Sequence, residues 1–515
     1  MSLQSAVMQN NPLLHHIIAT SGDQHQAISP IPTEAVAPIP LSDDSDVKNA
    51  VARSRAAFET WSYTSMGERE KVMRKLQKLI MRQRHELLDI IQRETGKSRA
   101  HALEELVHTV MTARYLEKNA ADVIRTRGRN GAIPLTTKTT VNHMPIGVVG
   151  VIAPWNYPFS LALIDALAAI MAGNSVVLKP DTQTTWTALH AVRLLELAGL
   201  PEGVITVVTG EGPTVGKALV EQADYICFTG STETGRIVAQ QVGERLINAS
   251  LELGGKNPMI VCADADLDRF LEVAQSACFT SAGQLCVSTE RIYIAREIYD
   301  EFKAAFVDRV KNITLGSHLG WGYDMGSITS KEQLDRIDAA VRQAKFEGAV
   351  VECGGKVRTD IGPLVYEPTV LTNVNRTMEI SHKEVFGPVV YLTPFDSIDD
   401  AIKMSNDTAY GLSASIITRD KRAAGDIAAR LDCGSININE GFAASFGSVE
   451  APMGGMGQSG SGRRQGPEGI LRFTEAQTVS VQRGGLVSRK FGANDKKWGR
   501  IMVLKIRLMR GLKLR

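Results

Sequence analysis

Between Asp46 and about Asp122, apolar residues recur at three- and four-residue steps. Val47, Val51, Ala57 and Phe58 form one series, Val72, Leu76, Leu79 and Ile80 a second, and Leu103, Leu106 and Val107 a third. That period predicts amphipathic helices. The stretch 133–141 is rich in β-branched residues and predicts a strand, in a hairpin turning near Asn130-Gly131. From Gly147 to Leu253 short apolar runs alternate with helical periods. Strands are predicted at 148–152, 175–178, 204–208, 225–228 and 249–253, with helices at 186–199 and 214–222 among them. This alternation predicts an α/β fold, a parallel sheet covered by helices.

Parallel sheets take ligands beyond the carboxyl ends of their strands. The ligand-facing turns are therefore Pro154-Trp155-Asn156, Lys179-Pro180, 210–216 and 230–235. Residues 260–435 read as a second α/β unit, with strands near 291–294, 389–395 and 413–418. The chain then returns through a strand at 435–439, a Gly-rich stretch at 454–466 and a strand at 478–482, a candidate partner for the 136–141 region. Residues 1–45 carry Pro30, Pro32, Pro38 and Pro40 among Ser, Gln and Ala, and are expected as an extended, partly disordered arm.

Composition narrows the class. A chain of 515 residues, 43% hydrophobic and 22% charged, is an ordinary globular one with room for two or three domains. Its net charge of +2 gives no overall pull toward nucleic acid. The six cysteines show no CxxC spacing, so neither a metal site nor a disulfide framework is expected, and a reducing cytoplasm is. No basic residue precedes Lys48, so no secretory leader is expected, and no apolar run reaches the ~20 residues of a membrane span.

Candidate chemistry centres on Cys286, which follows Gly283-Gln284-Leu285 and precedes an apolar strand. A thiol nucleophile calls for a lowered pKa, an oxyanion site and, where an acyl-enzyme forms, a base for water. Glu252, in Leu251-Glu252-Leu253-Gly254-Gly255-Lys256, is the candidate base; its plainer reading is an ion pair with Lys256. Asn156, after Pro154-Trp155 and before Tyr157-Pro158, is a further candidate whose plainer reading is a turn residue. Gly212-Pro213-Thr214-Val215-Gly216 and Gly230-Ser231-Thr232-Glu233-Thr234-Gly235 each follow a strand and open a helix. Backbone N–H groups there can hold a phosphate, or simply turn the chain.

Taken together, from about residue 47 to 482, the chain resembles the aldehyde dehydrogenase superfamily. The motifs are Pro154-Trp155-Asn156-Tyr157-Pro158, Phe228-Thr229-Gly230-Ser231-Thr232, the Glu252 segment, Gly283-Gln284-Leu285-Cys286 and Glu384-Val385-Phe386-Gly387-Pro388. The resemblance implies that Cys286 attacks an aldehyde, that Asn156 and the Cys286 N–H hold the oxyanion, and that Glu252 activates water against the thioester. It implies a dinucleotide held by Trp155, Lys179, Gly212, Gly216, Gly230, Ser231, Glu384 and Phe386. It also implies a Rossmann-like cofactor domain (46–255), a catalytic domain (256–435) and a return segment (436–482). A β arm pairing 125–143 with 473–482 would support a homodimer or homotetramer.

Three departures shape the expectations. Thr182 stands where NAD-preferring relatives carry a glutamate, which favours NADP with NAD still possible; the neighbouring Asp181 points either way. Arg464 follows Arg463 where some relatives place a glutamate of a proton relay. The broad pattern resembles bacterial, actinobacterial-type succinate-semialdehyde dehydrogenases. Yet Ile164 and Thr280 occupy the positions where such enzymes carry arginines for the substrate carboxylate, which leaves Arg463 or Arg464 as the clamp. A neutral aldehyde as substrate is the alternative, as is a non-catalytic relative; CoA-acylating relatives lack the counterpart of Glu252.

Beyond the motifs, 483–515 holds eleven Lys/Arg against Asp495 alone. Membrane contact by such a basic, apolar tail is conceivable. Its basic residues spread around a helical wheel, so an ordered extension packed on the oligomer, or a disordered one, is expected in place of a free helix.

Overall fold

The structure is a computed structural model and describes residues 11–133, 136–483, 494–511 and 513. Two open sheets organise it. The first has six strands in the spatial order Gly460–Ser461, Asn248–Glu252, Tyr225–Thr229, Val148–Ile152, Ser175–Lys179, Ile205–Val207. All pairings in it are parallel except the short Gly460–Ser461 strand, which runs against Asn248–Glu252. Every strand predicted between 147 and 253 is present, within one residue at each end.

The helix Pro158–Ala172 crosses behind this sheet. Its residues are nearly all Ala, Leu, Ile, Phe and Met, and all are buried. Such a helix is stable only inside a core. Pro158 opens it, where a missing N–H costs nothing, and Gly173 closes it in the left-handed conformation at φ 102°.

The second sheet runs Val350–Cys353, Thr369–Thr372, Val389–Phe395, Thr289–Ala295, Asn257–Val261, Ser413–Ile417, Ser435–Ile438. Only its first pair is antiparallel. Glu252 ends a strand of the first sheet and Asn257 begins a strand of the second. The carboxyl edge of one sheet therefore abuts the amino edge of the other, and the segments entering strands 257–261, 289–295 and 389–395 bring 254–255, 283–286 and 384–388 to that junction.

Three expectations need correction. The strand expected at 133–141 is Thr137–Pro145, paired with Thr474–Gln482 along its whole length and with Arg127–Asn130 on its other side. Ile133 belongs to the turn, its carbonyl accepting the Thr137 N–H at 3.0 Å. Pro134, which cannot donate to a ladder, and Leu135 lie outside the described residues. The stretch 11–45 is extended but not loose. Leu13, Ile17, Val36 and Ile39 are buried in the main core, and Gln24–His25 pairs with Ile39–Pro40; widely spaced apolar residues anchor a segment whose average composition is polar.

The third concerns the tail. Asp495–Gly511 is a helix with no buried residue. The part of the tail at 484–493 lies outside the described residues.

Candidate active site

After the helix Leu267–Phe279 the chain turns through Ser281 (φ 53°), Ala282 (φ 55°) and Gly283 (φ 69°). Two consecutive non-glycine residues in the left-handed region are costly and need contacts to hold them. The Ser281 N–H donates to His101 Nδ1 at 3.1 Å and its hydroxyl donates to the Tyr157 hydroxyl at 3.1 Å. A Cβ at Gly283 would stand 2.1 Å from the Gly387 carbonyl oxygen, so only glycine lets this loop meet the Glu384 segment.

Past the turn, Asn257 Nδ2 donates to the carbonyls of Cys286 (2.7 Å) and Ser288 (2.8 Å) while its Oδ1 accepts the Ser413 N–H at 3.1 Å. Asn257 thus ties the Cys286 loop to two strands. Its only signal in the sequence is a polar residue directly after Gly254-Gly255-Lys256 at the head of an apolar run.

Cys286 sits among apolar side chains that include Tyr157, Leu161, Ile164, Leu412, Phe442 and Met453. Burial, with the Glu252 and Glu384 carboxylates nearby, pushes its thiol up to about 12. This corrects the expectation of a lowered pKa: two acids face the sulfur and Arg464 offsets them only in part. These surroundings favour the neutral thiol over the thiolate.

Asn156 lies directly across. Its Nδ2 donates to the Gln284 carbonyl at 3.0 Å and its own carbonyl accepts from Lys97 Nζ at 2.6 Å. Lys97 pairs with Glu105 at 2.7 Å, and Glu105 in turn accepts the Phe159 and Ser160 N–H groups that open the helix Pro158–Ala172. The Asn156 side chain is therefore held by Gln284 and its backbone by a buried ion pair that no local motif signals.

Glu252 is buried, and its Oε1 has no hydrogen-bond partner among the described residues. Burial pushes its carboxyl up to about 7, against the pull of Arg464 and Arg472. Lys256 is not its partner; Lys256 Nζ pairs with Glu290 at 2.5 Å. Behind Glu252, Arg464 grips both Asp165 oxygens at 2.9 and 2.7 Å and donates to Thr229 Oγ1 at 2.8 Å. Arg472 also reaches Asp165, at 2.5 Å. Burial alone would raise Asp165, but the two guanidiniums outweigh it and hold it at about 2. Arg464 is thus committed to Asp165. Arg463 NH1 donates to the Gly455 (3.0 Å) and Gly462 (2.6 Å) carbonyls.

Along the carboxyl edge of the six-stranded sheet lie the turns expected to hold a dinucleotide. Ser231 caps the helix Thr232–Glu244, its hydroxyl accepting the Thr234 N–H at 3.2 Å. That helix start offers N–H groups to an anion. Gly230 is braced by its N–H to the Glu252 carbonyl at 3.1 Å. Gly212–Gly216 forms a π-helical turn with Gly212 exposed and Gly216 buried; a Cβ on Gly216 would sit 4.0 Å from Lys179 Cδ.

Lys179 is buried with one weak bond, to the Pro180 carbonyl at 3.3 Å, and burial lowers its pKa. A buried ammonium with so little to bond is suited to a ligand's hydroxyls or phosphate. Thr182 is half-buried in a 3₁₀ turn that Asp181 caps, accepting the Gln183 N–H at 2.9 Å. Glu384 accepts the Gly255 N–H at 2.8 Å, and burial with Glu290 beside it pushes it up to about 8. Phe386 (φ 53°) stands edge-on to Trp155 with ring centroids 5.6 Å apart. Buried cation, helix start and acid together fit a nicotinamide dinucleotide.

The comparisons agree with this geometry. The family model described as "Aldehyde dehydrogenase family" matches residues 17–479. A Mycolicibacterium smegmatis protein named "Putative succinate-semialdehyde dehydrogenase", NADP(+), is 46% identical over 474 residues, 92% of each chain. Human aldehyde dehydrogenase 1A1 is 39% identical over 473 residues, covering 90% of this chain and 93% of that one. The NAD+ complex of a Bacillus cereus aldehyde dehydrogenase superposes with a TM-score of 0.87 at 32% identity, covering 94% of this chain and 99% of that one. With nucleophile loop, buried glutamate and dinucleotide edge carried on the matching fold, the chain belongs to the aldehyde dehydrogenase family.

Proposed function

We propose that the protein oxidises an aldehyde to a carboxylic acid through a thiohemiacetal and a thioester on Cys286, with NADP⁺ as the preferred cofactor and NAD⁺ accepted. The observation that carries this is the placement of Glu252, buried with its Oε1 unpartnered and near enough to the Cys286 thiol for its charge to act on it. At neutral pH a carboxyl held near about 7 is partly ionised and suited to take a proton. The Cys286 sulfur attacks the carbonyl carbon as its proton passes out to solvent. The oxygen that becomes charged lies between the Asn156 amide and the Cys286 N–H. The bound nicotinamide supplies the hydride acceptor. Glu252 then takes a proton from the water that attacks the thioester and returns it to the departing sulfur, so that the thiol leaves in its neutral form.

Lys179, Thr182 and Ser231 would hold the adenosine and phosphate end, with Gly212, Gly216 and Gly230 allowing close approach. Glu384, Phe386 and Trp155 would hold the nicotinamide end. NADP⁺ is supported by neutral Thr182, by Asp181 being spent on its cap, and by the name of the M. smegmatis relative.

That name also supports succinate semialdehyde as substrate. A second reading, a neutral aliphatic or aromatic aldehyde, is favoured by the apolar surround of Cys286 and by the commitment of Arg464 to Asp165. Nicotinamide reduction with succinate semialdehyde and with butanal, each with NAD⁺ and NADP⁺ and with Cys286→Ala as blank, decides between them. Strong preference for the semialdehyde supports the first reading; equal rates, or butanal ahead, support the second.

The three-stranded ribbon leaves Met144, Val479 and Val481 between 40% and 50% exposed, which suits a contact between copies in a homodimer or homotetramer. The six cysteines are all unpaired, in keeping with a reducing cytoplasm.

A further inference from the structure

The helix Asp495–Gly511 lies beyond the residues matched by the family, which end at 479. It is not part of the catalytic fold. Trp498, Ile501, Val503, Leu504, Ile506 and Leu508 are between 36% and 62% exposed, a density of solvent-facing apolar side chains that marks an interaction surface.

Its polar side chains say what covers that surface. At 100° per residue, Lys496, Arg500, Arg507 and Arg510 fall within an arc of about 80°, with Val503 among them. Leu504, Leu508, Ile501, Trp498, Met509, Met502 and Ile506 span a separate arc of about 200°. Lys497 and Lys505 lie inside the apolar arc, where long stems can bury while their ammonium groups reach outward. Asp495 is the sole acid against six Lys/Arg. A second copy of the helix would set like charge against like, and a nucleic acid would answer the basic arc but leave the wide apolar one in water. A bilayer surface with anionic headgroups answers both. Among the described residues no helix is long and apolar enough to cross a membrane.

We propose that Asp495–Gly511 docks the protein onto bilayers carrying anionic lipid, the helix lying in the interface plane with Trp498, Ile501, Leu504 and Leu508 among the acyl chains. The test sediments the full-length protein with vesicles of phosphatidylcholine alone and with about 30% phosphatidylglycerol. Binding to the anionic vesicles is expected to be at least tenfold tighter, and to weaken as salt rises from about 0.1 to 0.5 M. The variant K496E/R500E/R507E removes the charge and I501E/L508E removes the apolar face; each loses at least tenfold in binding while cofactor reduction is unchanged. The proposal is overturned if the protein binds neither vesicle, binds both alike, or binds undiminished in either variant. It is equally overturned if either variant changes the oligomer's size in gel filtration, which would assign the helix to a contact between copies.

Discussion

Arg464 and Asp165 form a two-point ion pair, side chain to side chain, directly behind Glu252 and about as buried as Glu252 itself. With Arg472 on the same aspartate, the cluster holds two guanidiniums against one carboxylate. The surplus positive charge is the largest force opposing the burial of the Glu252 carboxylate. An arginine after Arg463 therefore has a definite consequence: it favours the ionised form of Glu252.

Arg464→Gln removes that charge and should raise the Glu252 pKa above about 7. The acid limb of kcat against pH would then move upward, with about a tenfold loss near neutrality for each unit moved. Asp165 keeps Arg472 as partner, so the fold should persist. A pH–rate profile of the variant checks this; an unmoved limb would show that Arg464 only packs.

Asn156→Ala should cut kcat by ~10²–10³, the usual effect of losing one oxyanion donor, with cofactor affinity unchanged. Steady-state kinetics with separate titration of the cofactor distinguishes this from a collapse of the loop.

Glu252 also ties stability to pH. Its folded-state pKa of about 7 lies above the ordinary 4.5, so its contribution is fully present below the ordinary value and is lost as pH rises through the folded one. Glu252→Gln should therefore stabilise the fold at about pH 8, on the order of 1–3 kcal/mol, and give nothing near pH 4.5. Melting curves at the two pH values test the sign.

Asn257→Ala leaves the Cys286 and Ser288 carbonyls without their donor, at a cost of about 1–3 kcal/mol. It should also lower kcat, because the nucleophile loop is released. Asn257→Asp, which cannot donate, should do no better in either thermal unfolding or turnover.

What the sequence shows of this molecule is what lies close together along the chain. Strands 148–152 and 389–395 stand where the apolar runs predict them, because both are buried and short. Cys286, Asn156 and Glu252 are recognisable from their immediate neighbours, and the structure brings all three to the junction of the sheets. The rest depends on pairing between distant segments. Arg464 and Asp165 are separated by 299 positions, and Asn257 and Ser413 by 156. The upward direction of the Cys286 shift depends on burial and on carboxylates arriving from two other segments, neither of which the residues beside Cys286 reveal. In the tail, the helix 495–511 forms although Lys497 and Lys505 fall within its apolar arc, and that mixing is what obscures it in the sequence.

The central claim is that Cys286 carries the acyl group and Glu252 releases it. Mass spectrometry of Glu252→Gln after rapid mixing with aldehyde and NADP⁺, with cofactor reduction followed in parallel, tests it most directly. The expected result is one equivalent of reduced cofactor per active site and a stable acyl adduct on Cys286, with steady turnover at least a hundredfold below wild type. Steady turnover near the wild-type rate, or reduction without an adduct on Cys286, would contradict it.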